Sequence, residues 1–270
     1  MHRNLLNHIS LLIAVAVFAS CGGGADKQGI AVPKDAAVVF HINAPSITSK
    51  LSWAEIQATN WYKDLHAEAD DDTTARQLLE NPGSSGINLE KDLVFFVKRR
   101  GRGGYIAFEG TLKDASAFEA FMKKVNKRGT PVKEGDLTII KDNKNVVTWN
   151  SGRFILLGNA PMAGAAFMDN SSFDNSGGTD RWGNFPADSL VKFAKELYDL
   201  DGDNSLFNDK RFADLIKEPG DMHMWFNAQH MSPGGLGDAF SMMKLSTLTD
   251  GNATAASLNF ENGKIAVNTK

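Results

Sequence analysis

Between Asp136 and Asn159 the chain reads DLTIIKD, NVVTWN and RFILLGN, three short strand-like segments joined by the turns Asp142-Asn-Lys-Asn145 and Ser151-Gly152. Parallel neighbours need a crossover of about a dozen residues, so turns this short oblige the strands to lie antiparallel. The same pattern recurs twice. DLVFFVKRR and YIAFEGTL flank Gly101-Arg-Gly-Gly104, and TAASLNF and IAVNT flank a turn that contains Asn262-Gly263. Residues 37–43, AVVFHIN, set Val38, Phe40 and Ile42 against Val39, His41 and Asn43, the period-two alternation of a strand with one face more apolar.

Helical signals fall between these strands. Ser52-Trp-Ala-Glu55 is a capping box, and Ala54, Ala58, Trp61 and Leu65 recur at helical spacing, which predicts a helix over about 53–68. The acidic run Asp70-Asp-Asp72 suits the start of a second helix that Asn81-Pro82 stops. Asp114 opens a helix with Phe118, Phe121, Met122 and Val125 on one stripe. Asp188 opens another, with Leu190, Val191, Ala194, Leu197 and Tyr198 on one side, and a shorter one carrying Phe212, Leu215 and Ile216 ends at Pro219. The fold class that follows is α+β, a mainly antiparallel sheet with packed helices.

Two stretches echo each other. Pro33-Lys-Asp35 leads into Val38, Phe40, Ile42 and Asn43-Ala44, much as Pro219-Gly-Asp221 leads into Met222, Met224, Phe226 and Asn227-Ala228. The spacing differs by two residues, which keeps each side chain on its face. This reads as two diverged strand-first units, residues 32–168 and 188–270, separated by the Asn/Ser/Gly-rich loop or linker 169–187. The second unit appears truncated, with no counterpart of the segments at 114–158 before the sequence stops at Lys270.

The N-terminus says where such a chain would reside. Arg3 precedes the apolar run Leu11–Ala19, and small residues precede Cys21, the only cysteine of the chain. These are the parts of a secretory signal, residues 1–20, and the run is too short for the ~20 apolar residues of a membrane span. Phe18-Ala-Ser-Cys21 resembles a bacterial lipobox, which implies that Cys21 is acylated and holds the chain to the membrane; Gly22 after it is compatible with an outer-membrane address. Residues 21–31 are a glycine-rich flexible tether. Loss of residues 1–20 leaves 250 residues and moves the formal charge from -3 to -4, because Arg3 leaves with the signal. That mildly acidic balance argues against nucleic acid as a partner, and 42% hydrophobic content argues against disorder.

Taken with PKDAAVVFHINAPSITSKLSW, LFNDKRFADLIKEPGDMHMWFN and NFENGKI, the lipobox makes the chain similar to a domain-of-unknown-function family of lipoproteins from gut-dwelling Gram-negative anaerobes. The resemblance implies a longer protein and brings no catalytic residue.

No catalytic constellation stands out. His41, His66, His223 and His230 have no metal-ligand spacing, although His41 and His223 lie on equivalent second faces of the echoing strands and can meet across a sheet; they are assigned no metal. Asp199, Asp201 and Asp203 alternate like calcium ligands, but Gly202 and Lys210 stand where the motif needs other residues, and an acidic helix end explains them. Ser189-Leu-Val-Lys192 and Ser241-Met-Met-Lys244 match Ser-x-x-Lys without its partner motifs. Asp72-Thr-Thr and Asp188-Ser-Leu resemble a bacterial O-glycosylation tripeptide and also suit helix caps. Trp182 and Phe185, aromatic residues in a polar loop, either pin that loop or form a ligand platform. The expectation is a lipid-anchored, non-enzymatic binding or assembly component of the outer membrane, without cofactor, whose partners beyond the membrane are envelope proteins or glycans. A glycan- or host-ligand-binding module is the alternative, and an unrecognised hydrolase a third reading.

Overall fold

The computed structural model describes residues 29–69, 73–101, 103–126, 129–160, 179–180, 183–227 and 253–270. Their strands are β1 (Ala36–Ile42), β2 (Leu93–Arg100), β3 (Gly103–Thr111), β4 (Val132–Glu134), β5 (Leu137–Lys141), β6 (Asn145–Trp149), β7 (Arg153–Asn159), β8 (Met222–Asn227), β9 (Ala253–Glu261) and β10 (Lys264–Thr269). They form one sheet in the order β10-β9-β8-β1-β2-β3-β7-β6-β5-β4, with every neighbouring pair antiparallel. The fold is α+β.

Alternation along the strands builds two cores, one on each face. Ile42, Leu93, Phe108, Phe154 and Leu156 meet α1 (Ala44–Lys50), α2 (Trp53–Ala58), α3 (Asn60–Glu68), α4 (Thr73–Glu80) and α5 (Ala115–Val125). Val39, Phe96, Tyr105, Ile155 and Leu157 meet α6 (Ala187–Tyr198) and α7 (Lys210–Leu215) on the other face. Aromatic rings lock both layers: Phe118 stacks on Phe154 with centroids 5.1 Å apart, and Tyr105 stacks on Phe193 at 5.4 Å.

The helix expected over 53–68 is divided. Thr59 adopts an extended backbone and caps α3 through Tyr62 N–H, so α2 and α3 are separate helices and Trp53 meets Tyr62 edge-on at 5.7 Å. Ser52 and Glu55 do form the reciprocal capping box at the start of α2. Asp114 caps α5 by accepting from the amides of Ser116 and Ala117. Asp188 does not cap α6. The helix starts one residue earlier, after Pro186, which leaves Asp188 in the first turn, where it pairs with Lys141. Asp70–Asp72 lie outside the described residues.

The β1–β8 seam organises the sheet. Val38 faces Phe226, Phe40 faces Met224, His41 faces His223 and Ile42 faces Met222. On one side of the seam follows the β2–β3 hairpin and on the other the β9–β10 hairpin, so the strand order mirrors itself over three strands each way. The described residues on either side of 169–187 share one sheet and its cores: α6 packs on β5 to β7, and Tyr198 donates to the carbonyls of Thr148 and Arg153.

Candidate functional site

The densest polar cluster lies on the seam. Strand alternation turns His41 and His223 to the α7 face, and the antiparallel register places them side by side, with the two Nδ1 atoms 3.2 Å apart. His41 Nε2 stands 3.0 Å from Asp92 Oδ2, and His223 Nε2 stands 3.0 Å from the Glu218 carbonyl. All three side-chain owners are buried, at 2% exposure for His41, 0% for His223 and 4% for Asp92. Burial, and then the charge of His41, hold His223 below the ordinary imidazole range, while the Glu218 carbonyl acts in the opposite direction. The ring of Phe207 closes the cluster edge-on to His41 at 6.4 Å.

Next to it, Asp221 staples three elements. Its buried carboxylate accepts from Ser46 Oγ at 2.7 Å, Lys50 Nζ at 2.8 Å and Phe260 N at 2.6 Å, tying α1 to β8 and β9. Charge-assisted bonds of this kind satisfy a carboxylate that is fully buried.

A third buried pair joins β3 and β7. Glu109 Oε2 lies 3.9 Å from Arg153 Nε and accepts from the amide of Ala31 at 3.3 Å, which fastens the start of the folded body to the sheet. Arg153 also donates to the carbonyls of Gly29 and Leu197 and lies over the ring of Tyr198. Burial pushes the Glu109 carboxyl up to about 7, against Arg153 and the Ala31 amide, which act to lower it.

The loop aromatics part company. Phe185 is 2% exposed, edge-on to Phe193 at 5.0 Å, and its backbone is held from both sides by the Asn159 amide at 2.7 and 3.0 Å. A large apolar side chain gains more from this burial than a loop position suggests, so Phe185 pins the loop, one of the two roles expected of it. Trp182 lies outside the described residues, as do Cys21, His230 and Ser241–Lys244. Beside the pinned loop is a pocket of about 540 Å3 lined by Asn143, Asn145, Asn159, Asp180, Asn184 and Phe185, whose side-chain amides can donate to and accept from hydroxyl groups and whose carboxylate can accept from them.

The other sequence candidates have local roles. Asp199 takes the C-cap position of α6 and Asp201 accepts from Asn204 in the turn that follows. His66 lies 3.4 Å from Glu80. Among the described residues no group of three or more His, Cys, Asp or Glu is placed to hold a metal, and no helix is long and apolar enough to cross a membrane.

A family model described as a domain of unknown function, DUF4836, matches residues 30–173. No curated protein matches the chain. A solved structure titled "Structure of crystal form I of TP0453" is similar over 89% of this chain and 78% of its own, at 9% identity and a TM-score of 0.40.

Proposed function

The chain belongs to the DUF4836 family, a domain of unknown function, and on that footing we propose that it is a lipid-anchored component of the cell envelope whose folded body serves binding or assembly rather than catalysis. The observation that carries this reading is Phe18-Ala-Ser-Cys21 behind an apolar run, followed by a glycine-rich stretch. Its resemblance to lipoproteins of gut-dwelling Gram-negative anaerobes points to the outer membrane. The body is fastened at Gly29 and Ala31 through Arg153 and Glu109. Seven residues separate Cys21 from Gly29, and the eight steps between the two, at ~3.5 Å each, reach no further than about 28 Å. The acylated cysteine therefore keeps the Gly29 side of the body, with the C-terminal end of α6, close to the bilayer. Two or three acyl chains make such anchoring nearly irreversible.

Cys21→Ser should move the protein from the membrane fraction to the soluble fraction and abolish palmitate labelling. Membrane retention of the variant would contradict the anchor. Protease shaving of intact cells then distinguishes a body that faces outward from one that faces the periplasm.

The amide-rich pocket favours one second reading, a glycan-binding module in which Asn143 and Asn184 bind hydroxyl groups beside Phe185, with Trp182 the further aromatic that the sequence nominates. Trp182→Ala combined with Asn143→Ala should weaken retention on a glycan array at least tenfold, and unchanged retention would reject it.

A further inference from the structure

Two imidazole nitrogens approach to 3.2 Å, as His41 Nδ1 and His223 Nδ1 do, only when a proton lies between them, because two bare lone pairs at that distance repel. Three polar contacts run in series here: Asp92 Oδ2 to His41 Nε2, Nδ1 to Nδ1, and His223 Nε2 to the Glu218 carbonyl. Each takes one proton. Two neutral imidazoles beside an ionised carboxylate carry two protons, and the outer contacts claim both, since a carbonyl and a carboxylate only accept. The central contact is then left with two bare nitrogens.

We propose that Asp92, His41 and His223 together hold three protons at neutral pH and act as a proton-held clasp across the β1–β8 seam. His41 carries two, donating to Asp92 from Nε2 and to His223 from Nδ1. His223 carries one, donated to the Glu218 carbonyl. The imidazolium and the carboxylate then cancel in an interior where an unpaired charge is costly. Asp92 Oδ1 is buried without a partner among the described residues, so the anion depends on His41 for its neutralisation. The low affinity of His223 for a proton, caused by its burial and by His41, fits this distribution. The other groups around the cluster have their own partners: the Glu218 carboxylate pairs with Lys270, Asp221 with Lys50 and Ser46, and Phe207 contributes only its ring. A metal would find two nitrogen ligands here, and the described residues contain no group of three placed to hold one.

The clasp joins the strands of residues 36–159 to those of residues 222–269 and is sensitive in both directions. A fourth proton puts two N–H groups face to face, so as pH falls below the ordinary imidazole value of 6.5 the folded state, in which His223 resists protonation, loses stability relative to the unfolded chain. Removal of the third proton leaves Asp92 unneutralised and the two Nδ1 lone pairs opposed.

The test is a long-range 1H–15N correlation spectrum of the full chain, 15N-labelled at histidine, at pH 7, with His2→Ala, His8→Ala, His66→Ala and His230→Ala used to assign the remaining signals. The expected spectrum has one buried ring protonated at both nitrogens, one protonated at Nε2 alone, and a coupling between their Nδ1 nuclei. Two neutral rings would overturn the proposal. So would Nδ1 signals that move on addition of Zn2+ and return with EDTA, which would make the bridging cation a metal. Asp92→Asn keeps the shape and removes the charge, and should lower the doubly protonated fraction about tenfold or more; an unchanged fraction would also overturn it.

Discussion

Glu109 sits in YIAFEGTL where alternation alone would allow it to face either solvent or core, yet it is buried to completion on the α6 face of β3. Its proton affinity follows from that. The folded-state value of about 7 lies above the ordinary 4.5, so the folded state binds this proton more tightly than the unfolded chain. The contribution is therefore fully present below about pH 4.5 and is lost as pH rises through 7, which amounts to about 3 kcal/mol over the interval. Glu109→Gln preserves an acceptor for the Ala31 amide and removes the titration. The unfolding free energy of the variant relative to wild type, measured in urea, should rise by about 3 kcal/mol between pH 4.5 and pH 8. A difference that stays flat with pH would show that Arg153 neutralises the carboxylate fully. At this scale the sequence displayed the meeting of His41 and His223, because period-two alternation assigns a face. It could not display the partners Asp92 and Arg153, which long-range pairing brings in, nor the room that lets Phe185 take the pinning role, which depends on Gly103: a Cβ there would fall 2.7 Å from the Phe185 ring.

The elements read most clearly from the sequence are those with a local cause. The hairpins follow from turn chemistry, and α2 and α5 from Ser52 and Asp114, whose side chains satisfy the first amides. What could not be read was a junction between elements. Pro82-Gly-Ser-Ser-Gly86 is a loop by composition, but Gly86 has φ +78° and its carbonyl accepts from the amides of both Lys113 and Asp114, so the loop is the seat on which α5 begins. A Cβ at Gly86 would fall 2.3 Å from the Asp114 carbonyl and 2.5 Å from Phe118 N. Gly135 has a similar φ of +60° with nothing within 4 Å of its Cβ position. The two positions separate backbone strain from collision. Gly135→Ala should cost about 1–2 kcal/mol from the left-handed conformation alone, whereas Gly86→Ala adds an overpacking penalty and should cost roughly 2–5 kcal/mol. Equal losses in chemical denaturation would mean that α5 shifts to accommodate the methyl group. The division of the expected 53–68 helix at Thr59 has the same origin, since Thr59 exchanges a helical turn for a cap that orients Tyr62 into the core.

On the scale of the molecule, the repeated strand pattern shows that the sheet is antiparallel, but neither the three-residue strand β4 nor which strands share an edge. β1 and β8 are separated by nearly the whole described chain and yet pair along their length, which makes the seam a long-range contact that no local signal encodes. The free edges are what such a sheet must protect. At one end β4 has three residues, all exposed, and Glu134 is engaged by Lys195. At the other, β10 presents Ile265 and Val267 at 60% and 55% exposure, on a strand paired only with β9 among the described residues. An edge of six residues with two exposed β-branched side chains and outward amides that pair with no other strand among the described residues invites a second strand. Sedimentation velocity of the folded body should accordingly show association that grows with concentration, and Val267→Lys should suppress it. The charge sits on the surface away from both cores, so folding stability should change by no more than about 0.5 kcal/mol. Association undiminished by Val267→Lys would move the contact elsewhere on the molecule. A wild type that stays monomeric at high concentration would mean that the twist and shortness of β10 protect the edge without help from charge.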